Sequence, residues 1–369
     1  MSFKELLKKE AVTIIAAAAA LISCMFVPVT DYVEYIDANL IGILFSLMAV
    51  VAGFAENNVF KKLSVSVIRL AGDTRKLATV LVFTVFFSSM LITNDVALIA
   101  FVPFTIMLYQ KIWRSPVYVI VLQTIAANMG GAFTPIGNPQ NLLLFSVSGM
   151  SVPDFFGITS YIAVISFVLL FISVLFIRKE EITISTDDDP EIKNHNFLAL
   201  YAALFILCIL YVFRVIDIIY VLSSVCLVIA IIQPNVFSKV DYGLLITFAC
   251  FFIFVGNLKN IPEVSKAIVT ALNGREFECS LILSQVISNV PAAVMLSGFT
   301  DNYKALILGA DIGGLGTLIA SLASLISFKF YSASVSSGKS KLSFIGIFTA
   351  ANIIFLAVLT ACAKLFILK

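Results

Sequence analysis

One histidine, one tryptophan and only 12% charged residues in a chain of 369 leave little material for soluble catalysis. A soluble domain carries about 25% charge. The lone His195 sits in a polar stretch, and the six cysteines (Cys24, Cys208, Cys226, Cys250, Cys279, Cys362) are scattered singly through apolar segments. Without a C-x-x-C or a Cys/His cluster, a metal centre and a disulfide framework have no sequence support, and each cysteine reads as a small packed hydrophobe. H-E-x-x-H and G-x-S-x-G are missing, and Gly309-Ala310-Asp311 is not the Gly-x-Gly-Asp of an intramembrane aspartic protease. No enzyme is expected and no cofactor beyond a coupling ion. A net charge of +2 with no basic patch gives no reason to expect a nucleic-acid partner.

What the chain has is hydrocarbon. It is 60% hydrophobic with a mean hydropathy of +1.06, and apolar runs of about 20 residues recur throughout. The composition is that of an all-α polytopic membrane protein in contact with lipid on most faces. Spans are expected over Ala11–Val29, Asn39–Ala55, Tyr161–Ile177, Phe197–Phe213, Ile218–Ile232, Tyr242–Val255 and Leu342–Phe366. The first has no A-x-A-like cleavage site after it and reads as a retained helix. A polar linker, "RKEEITISTDDDPEIKNHN", separates an N-terminal half (1–178) from a C-terminal half (197–369), with residues 179–196 between them.

Two regions break the pattern of simple spans. Leu77–Tyr109 has 33 residues with "TNDV" in its middle. As one helix it would be about 50 Å long, against a hydrocarbon core of about 30 Å. A re-entrant hairpin with Thr93-Asn94-Asp95 at its tip fits instead. Pro116–Ser148 contains "ANMGGAFTPIGNPQNLL" and reads as a helix broken near its middle.

Both features recur. "ANMGGAFTPIGNPQNL" (Ala127–Leu142) aligns with "ADIGGLGTLIASLASL" (Ala310–Leu325), 183 residues later, with Asn128 opposite Asp311. "ITNDVA" (Ile92–Ala97) aligns with "ISNVPA" (Ile287–Ala292). The segment Cys279–Thr300 is then either a second hairpin or a single span kinked at Pro291. The basic residues put the N-terminus and the linker on the cytoplasmic side: Lys4, Lys8 and Lys9, then Lys61, Lys62, Arg69, Arg75 and Lys76, then Arg178, Lys179 and Lys193, all fall on one face. Five crossings are expected between Ala11 and Ile218, the starts of the two copies, and an odd number inverts the second copy; Phe197–Phe213 is then an extra helix between them. The expected architecture is two inverted repeats, each with a re-entrant hairpin and a broken transmembrane helix, with about nine spans in all, in a cell (inner or plasma) membrane.

A helix broken at mid-membrane is tolerated only where protein or a wet cavity satisfies its backbone. Such breaks offer free N–H groups to anions and free carbonyls to cations. Asp95 and Asp311 are the deepest carboxylates, each a cation ligand, a proton carrier or a helix cap. Side-chain amides are concentrated at Asn128, Asn138, Gln140 and Asn141.

These residues resemble the ion transporter superfamily, which includes divalent anion/sodium symporters, arsenite permeases, citrate–metal transporters and sodium/proton antiporters. "GGAFTPIGNPQNL" resembles its Gly-Gly…Thr-Pro…Gly-x-Pro-x-Asn loop, and "TND" and "SNV" stand where the dicarboxylate branch has Ser-Asn-Thr. The resemblance implies a homodimeric secondary transporter of elevator type that moves a small anion coupled to Na⁺ or H⁺; arsenite efflux or Na⁺/H⁺ antiport is the alternative within the superfamily. By motif position, Thr93, Asn94, Asn141, Ser288 and Asn289 would contact substrate. Gly130, Thr134, Gly137 and Asn138 would line one cation loop, and Gly314, Thr317 and Ser321 the other; Asp95 and Asp311 join the cation side as the deepest carboxylates and not by motif. The chain departs from the dicarboxylate pattern at Asp95 and Val290, and its second loop lacks the Pro-x-Asn ending.

Overall fold

Short polar residues punctuate the apolar sequence, and helices start where they fall. Asp37, Asp73, Ser151, Asn194, Asp217 and Asp241 each accept a backbone N–H from the first turn that follows, which satisfies donors that the helix itself leaves unpaired. The computed structural model describes residues 11–27, 32–68, 72–182, 191–335 and 337–368. Its helices are α1 (Ala11–Phe26), α2 (Ala38–Glu56), α3 (Val59–Ile68), α4 (Thr74–Ser88), α5 (Asn94–Lys111), α6 (Val117–Gly131), α7 (Pro139–Ser148), α8 (Val152–Leu175) and α9 (His195–Val212). They continue with α10 (Ile218–Ile232), α11 (Tyr242–Lys259), α12 (Pro262–Leu272), α13 (Glu276–Ile287), α14 (Asn289–Ser297), α15 (Tyr303–Gly313), α16 (Leu322–Ser334) and α17 (Gly338–Cys362), the last running on into a π turn over Ala363–Ile367. Only one isolated bridge, Asp73 to Glu181, resembles sheet among the described residues.

Among the described residues, five helices are long and apolar enough to cross a membrane: α2, α8, α9, α11 and α17 with its π turn. Their outer faces, and those of α1 and α10, are apolar. Met25, Val164, Ile219, Leu227 and Ile231 are each more than 60% exposed. A water-soluble fold would not leave so many large aliphatic side chains outside; hydrocarbon makes them cost nothing. The fold is therefore an all-α, multi-pass membrane protein.

A set of polar residues that includes Asn94, Asn128, Asn138, Asp311 and Ser321 is buried inside. Buried apolar residues form two clusters. One joins α4, α5, α6, α8, α15, α16 and α17. The other joins α1, α2, α9, α10 and α11 to the faces of α7 and α14. Packing partners come in matched pairs. Helix α4 lies on α6 as α13 lies on α15; α5 packs on α16 as α14 packs on α7; α1 packs on α11 as α10 packs on α2.

Several expectations change in detail. The chain turns at Ser288, between α13 and α14, and not at Pro291, which lies in the first turn of α14 where proline costs no hydrogen bond. Helix α8 starts at Val152, nine residues before the expected Tyr161, because Ser151 caps it and Pro153 fits its first turn. His195 begins α9 instead of ending the linker. Helices α3 and α12 occupy stretches where no span was expected, since each is too short and too polar to register as one. Lys4, Lys8, Lys9, Arg69 and the middle of the linker (183–190) lie outside the described residues.

Candidate functional site

The two breaks in the helices meet. Helix α6 stops at Gly131 and α7 resumes at Pro139; α15 stops at Gly313 and α16 resumes at Leu322. Each break is stitched to the turn that precedes it in the chain, and the stitches are paired. Asn94 N–H donates to the Gly137 carbonyl at 3.0 Å, and Asn289 N–H to the Ala320 carbonyl at 2.9 Å. The Thr134 hydroxyl donates to the Met90 carbonyl at 2.6 Å, and the Thr317 hydroxyl to the Gln285 carbonyl at 3.2 Å. The Asn94 and Asn289 side-chain carbonyls each accept the next residue's N–H at 3.0 Å.

The glycines are required by these close approaches. A Cβ on Gly137 would lie 2.4 Å from the Gly131 carbonyl oxygen and 2.7 Å from that of Ser89. A Cβ on Gly130 would lie 2.1 Å from the Phe86 carbonyl oxygen. Those neighbours are backbone and cannot rotate away. At Ser288 the backbone takes φ +77°, a strained value for a serine. Strain of this kind persists only where the surroundings impose it.

Two hydrogen-bonded nodes then join the halves of the chain. In the first, the Asn128 side-chain carbonyl accepts from the Asn94 amide at 2.9 Å and from the Ser321 hydroxyl at 3.0 Å. In the second, an Asp311 carboxylate oxygen, Oδ1, accepts from the Asn138 amide at 3.3 Å and from the Gln140 amide at 3.4 Å. Asn138 also caps α7, accepting the Asn141 N–H at 2.8 Å. The aligned sequences place Asn128 opposite Asp311 and Asn138 opposite Ser321, so the nodes correspond in position and differ in charge.

Hydrogen bonding at the nodes is incomplete. Asp311 is 2% exposed, and its second oxygen, Oδ2, meets no donor among the described residues. Among the same residues, the side-chain oxygens of Gln140 and Asn141 and the amide nitrogen of Asn128 are also buried without partners. No lysine or arginine lies within ion-pair distance of Asp311 among the described residues. A buried carboxylate in that position costs several kcal/mol unless a cation or proton joins it. The orphan oxygens are the donor set that a small hard cation takes.

A cavity of about 300 Å³ reaches this core. Its lining includes Thr93, Asp95 and Asn138, one face of α2, and Lys239 and Asp241. Lys239 and Lys193 both pair with Glu56 at the end of α2, the second at 3.1 Å.

The expected residues therefore gather as follows. Asn94, Asn138, Asp311 and Ser321 join in the nodes; Thr93 and Asp95 line the cavity; Gly130, Thr134, Gly137, Gly314, Thr317, Ser288 and Asn289 build the stitched breaks. Asn141 packs against the break by donating to the Ala132 carbonyl at 3.0 Å. Sequence reasoning noted Asn128 and Gln140 as polar donors without placing them in the site. It missed Gln285, whose amide donates to the Gly313 and Leu315 carbonyls at 2.7 and 2.9 Å and so satisfies the second break. It also missed Lys239 and Asp241, which carry no motif and enter only through folding.

Known proteins resemble this chain over most of its length. The citrate transporter family matches residues 4–305. An uncharacterised transporter of Methanocaldococcus jannaschii is 32% identical over 332 residues, covering 88% of each chain. An Escherichia coli inner membrane protein, YbiR, is 30% identical over 303 residues, covering 80% of each. An uncharacterised transporter of Mycobacterium tuberculosis is 24% identical over 335 residues, covering 79% of this chain and 77% of its own. A paired polar core inside an apolar shell, and similarity of this extent, make the chain a membrane transport protein of the citrate transporter family, within the wider ion transporter superfamily.

Proposed function

We propose that the chain is a secondary active transporter that moves a small anion, carboxylate-like or inorganic, coupled to Na⁺ or H⁺. The observation that carries this reading is the pair of cross-half nodes, one amide and one carboxylate. The Asn128 node, with Asn94, Ser321 and the adjacent start of α16, presents uncharged donors suited to an anion. The Asp311 node, with orphan oxygens from Gln140 and Asn141, suits the coupling cation. Thr93, Asn141, Ser288 and Asn289 complete the substrate side; Asp95, Asn138 and the glycine and threonine residues of the breaks complete the cation side.

The paired stitches and exchanged packing partners support two inverted repeats, α1–α8 and α10–α17, with α9 as an extra helix between them. In this reading α4–α5 and α13–α14 are re-entrant hairpins, and about nine crossings make up the rest. Helices α1, α2 and α9–α11 form a scaffold that carries the contact of a homodimer, and the remaining helices slide against it as an elevator. The linker side is cytoplasmic and the membrane is the cell membrane.

Reconstitution in proteoliposomes tests the reading. Uptake of at least one member of a panel of small mono-, di- and tricarboxylates and oxyanions is expected to rise when an inward Na⁺ or H⁺ gradient is imposed. Asp95→Asn is expected to shift the Na⁺ or pH dependence of that uptake, because Asp95 lines the cavity and no side chain among the described residues pairs with it. Gradient-driven Na⁺/H⁺ exchange with no anion uptake would replace this reading with antiport, and uptake of uncharged arsenite alone would replace it with arsenite efflux.

A further inference from the structure

A second cavity, of about 380 Å³, lies on the same seam as the first. Its lining includes Asn39 and Ile43 from the first turns of α2, Phe145 and Ser146 from the end of α7, and Tyr211 and Arg214 from the end of α9 and the turn beyond it. The first cavity takes its α2 wall from Leu44 to Ala55. Asn39 and Ala55 are about 24 Å apart along a helix axis, so the two cavities open toward opposite ends of α2. Leu142 lines both. It is 3% exposed and sits in one apolar cluster with Ile43 and Leu44, which are equally buried.

One turn beyond Leu142, the end of α7 is fastened. The Arg214 guanidinium donates to the Gly149 carbonyl at 2.9 Å and to the Phe145 carbonyl at 3.3 Å, and it lies 5.2 Å from the centre of the Phe145 ring. No carboxylate pairs with Arg214 among the described residues. Carbonyls at a helix C-terminus are unpaired acceptors that favour a cation. Arg214 itself adopts φ +60°, a conformation that arginine takes only when held.

We propose that the second cavity is the port of the translocation path on the opposite face of the membrane, that Leu142 is the septum between the two ports, and that Arg214 is a positioning residue that holds the septum closed through the end of α7. This rests on the transport reading, but thiol labelling tests it without any substrate. All six native cysteines are first replaced by serine or alanine. Ser146→Cys, Ala55→Cys and Leu142→Cys are then exposed, one at a time, to a membrane-impermeant methanethiosulfonate from each face of oriented vesicles. Ser146→Cys is expected to react from one face only and Ala55→Cys from the other only. Leu142→Cys is expected to react about tenfold more slowly than either, as its burial dictates. Adding Arg214→Gln is expected to bring the Leu142→Cys rate close to that of Ser146→Cys while leaving the Ala55→Cys rate unchanged, which also reports that the fold persists. Labelling of Ser146→Cys and Ala55→Cys from the same face would overturn the proposal. So would rapid labelling of Leu142→Cys with Arg214 intact, or a Leu142→Cys rate indifferent to Arg214→Gln. The expected labelling together with no gradient-driven uptake by the parent protein would instead count against the transport reading alone.

Discussion

Asn94→Ala and Asn289→Ala each bring uptake in proteoliposomes close to background while membrane expression stays near that of the parent protein. At Asn94 the amide joins the node at Asn128, and its removal leaves the Asn128 carbonyl to Ser321 alone. A buried hydrogen-bonding group left without its partner costs about 1–3 kcal/mol, or roughly five- to 150-fold in an equilibrium. The stitch that holds the turn to the break survives, because Asn94 N–H and Asn289 N–H are backbone donors that alanine retains. A functional loss without a folding loss is therefore expected at both sites. Radiotracer uptake normalised to protein in the vesicle checks it. Parent-like uptake by both variants would remove the two tips from the substrate path.

Asp311→Asn uncouples transport. The substitution keeps the size and shape of the side chain, and its carbonyl still accepts from Asn138 and Gln140, so the local packing is retained. What it removes is the charge. With Oδ2 unpartnered and no basic residue within ion-pair distance among the described residues, that charge is the strongest demand for a cation at the second node, beside the unpaired oxygens of Gln140 and Asn141. The variant makes the two nodes alike in charge. Stimulation of uptake by a Na⁺ or H⁺ gradient is expected to fall by at least about tenfold, since several kcal/mol of buried-charge compensation is lost. Exchange of substrate across the vesicle membrane without any gradient is expected to persist through the intact Asn128 node. Comparing Na⁺ and pH gradients on the parent protein separates the two coupling ions. Unchanged gradient stimulation in Asp311→Asn would assign the carboxylate to structure.

Much of this could be read from residues alone. The breaks announced themselves through Gly130-Gly131, Pro135 and Pro139, and the second copy through Gly313-Gly314 and Thr317. These residues are legible because backbone geometry restricts their type: no side chain fits at Gly137 or Gly130. The turn at Ser288 was harder to place, since serine has no special claim on a positive φ and Pro291 was the stronger signal. Helix ends at Val152 and His195 depended on capping by Ser151 and Asn194, which hydropathy does not register. Gln140 and Gln285 were ordinary glutamines until folding set Gln140 beside Asp311 and Gln285 beside a break that its own segment does not contain. Lys239, Asp241 and Arg214 belong to no repeat motif, and their places at the cavities follow only from the way α2 meets α7 and the turns before α10 and α11.

The meeting of the two breaks is tested most directly by cross-linking. In the cysteine-free background, Asn128→Cys with Ser321→Cys joins the halves of the chain, and Asn94→Cys with Asn128→Cys serves as the control within one half. Both pairs are expected to form a disulfide under a membrane-permeant oxidant, because both parent pairs are in hydrogen-bond contact, at 3.0 and 2.9 Å. A bridge in the control pair with none between positions 128 and 321 would show that the breaks lie apart, and the shared site would be contradicted.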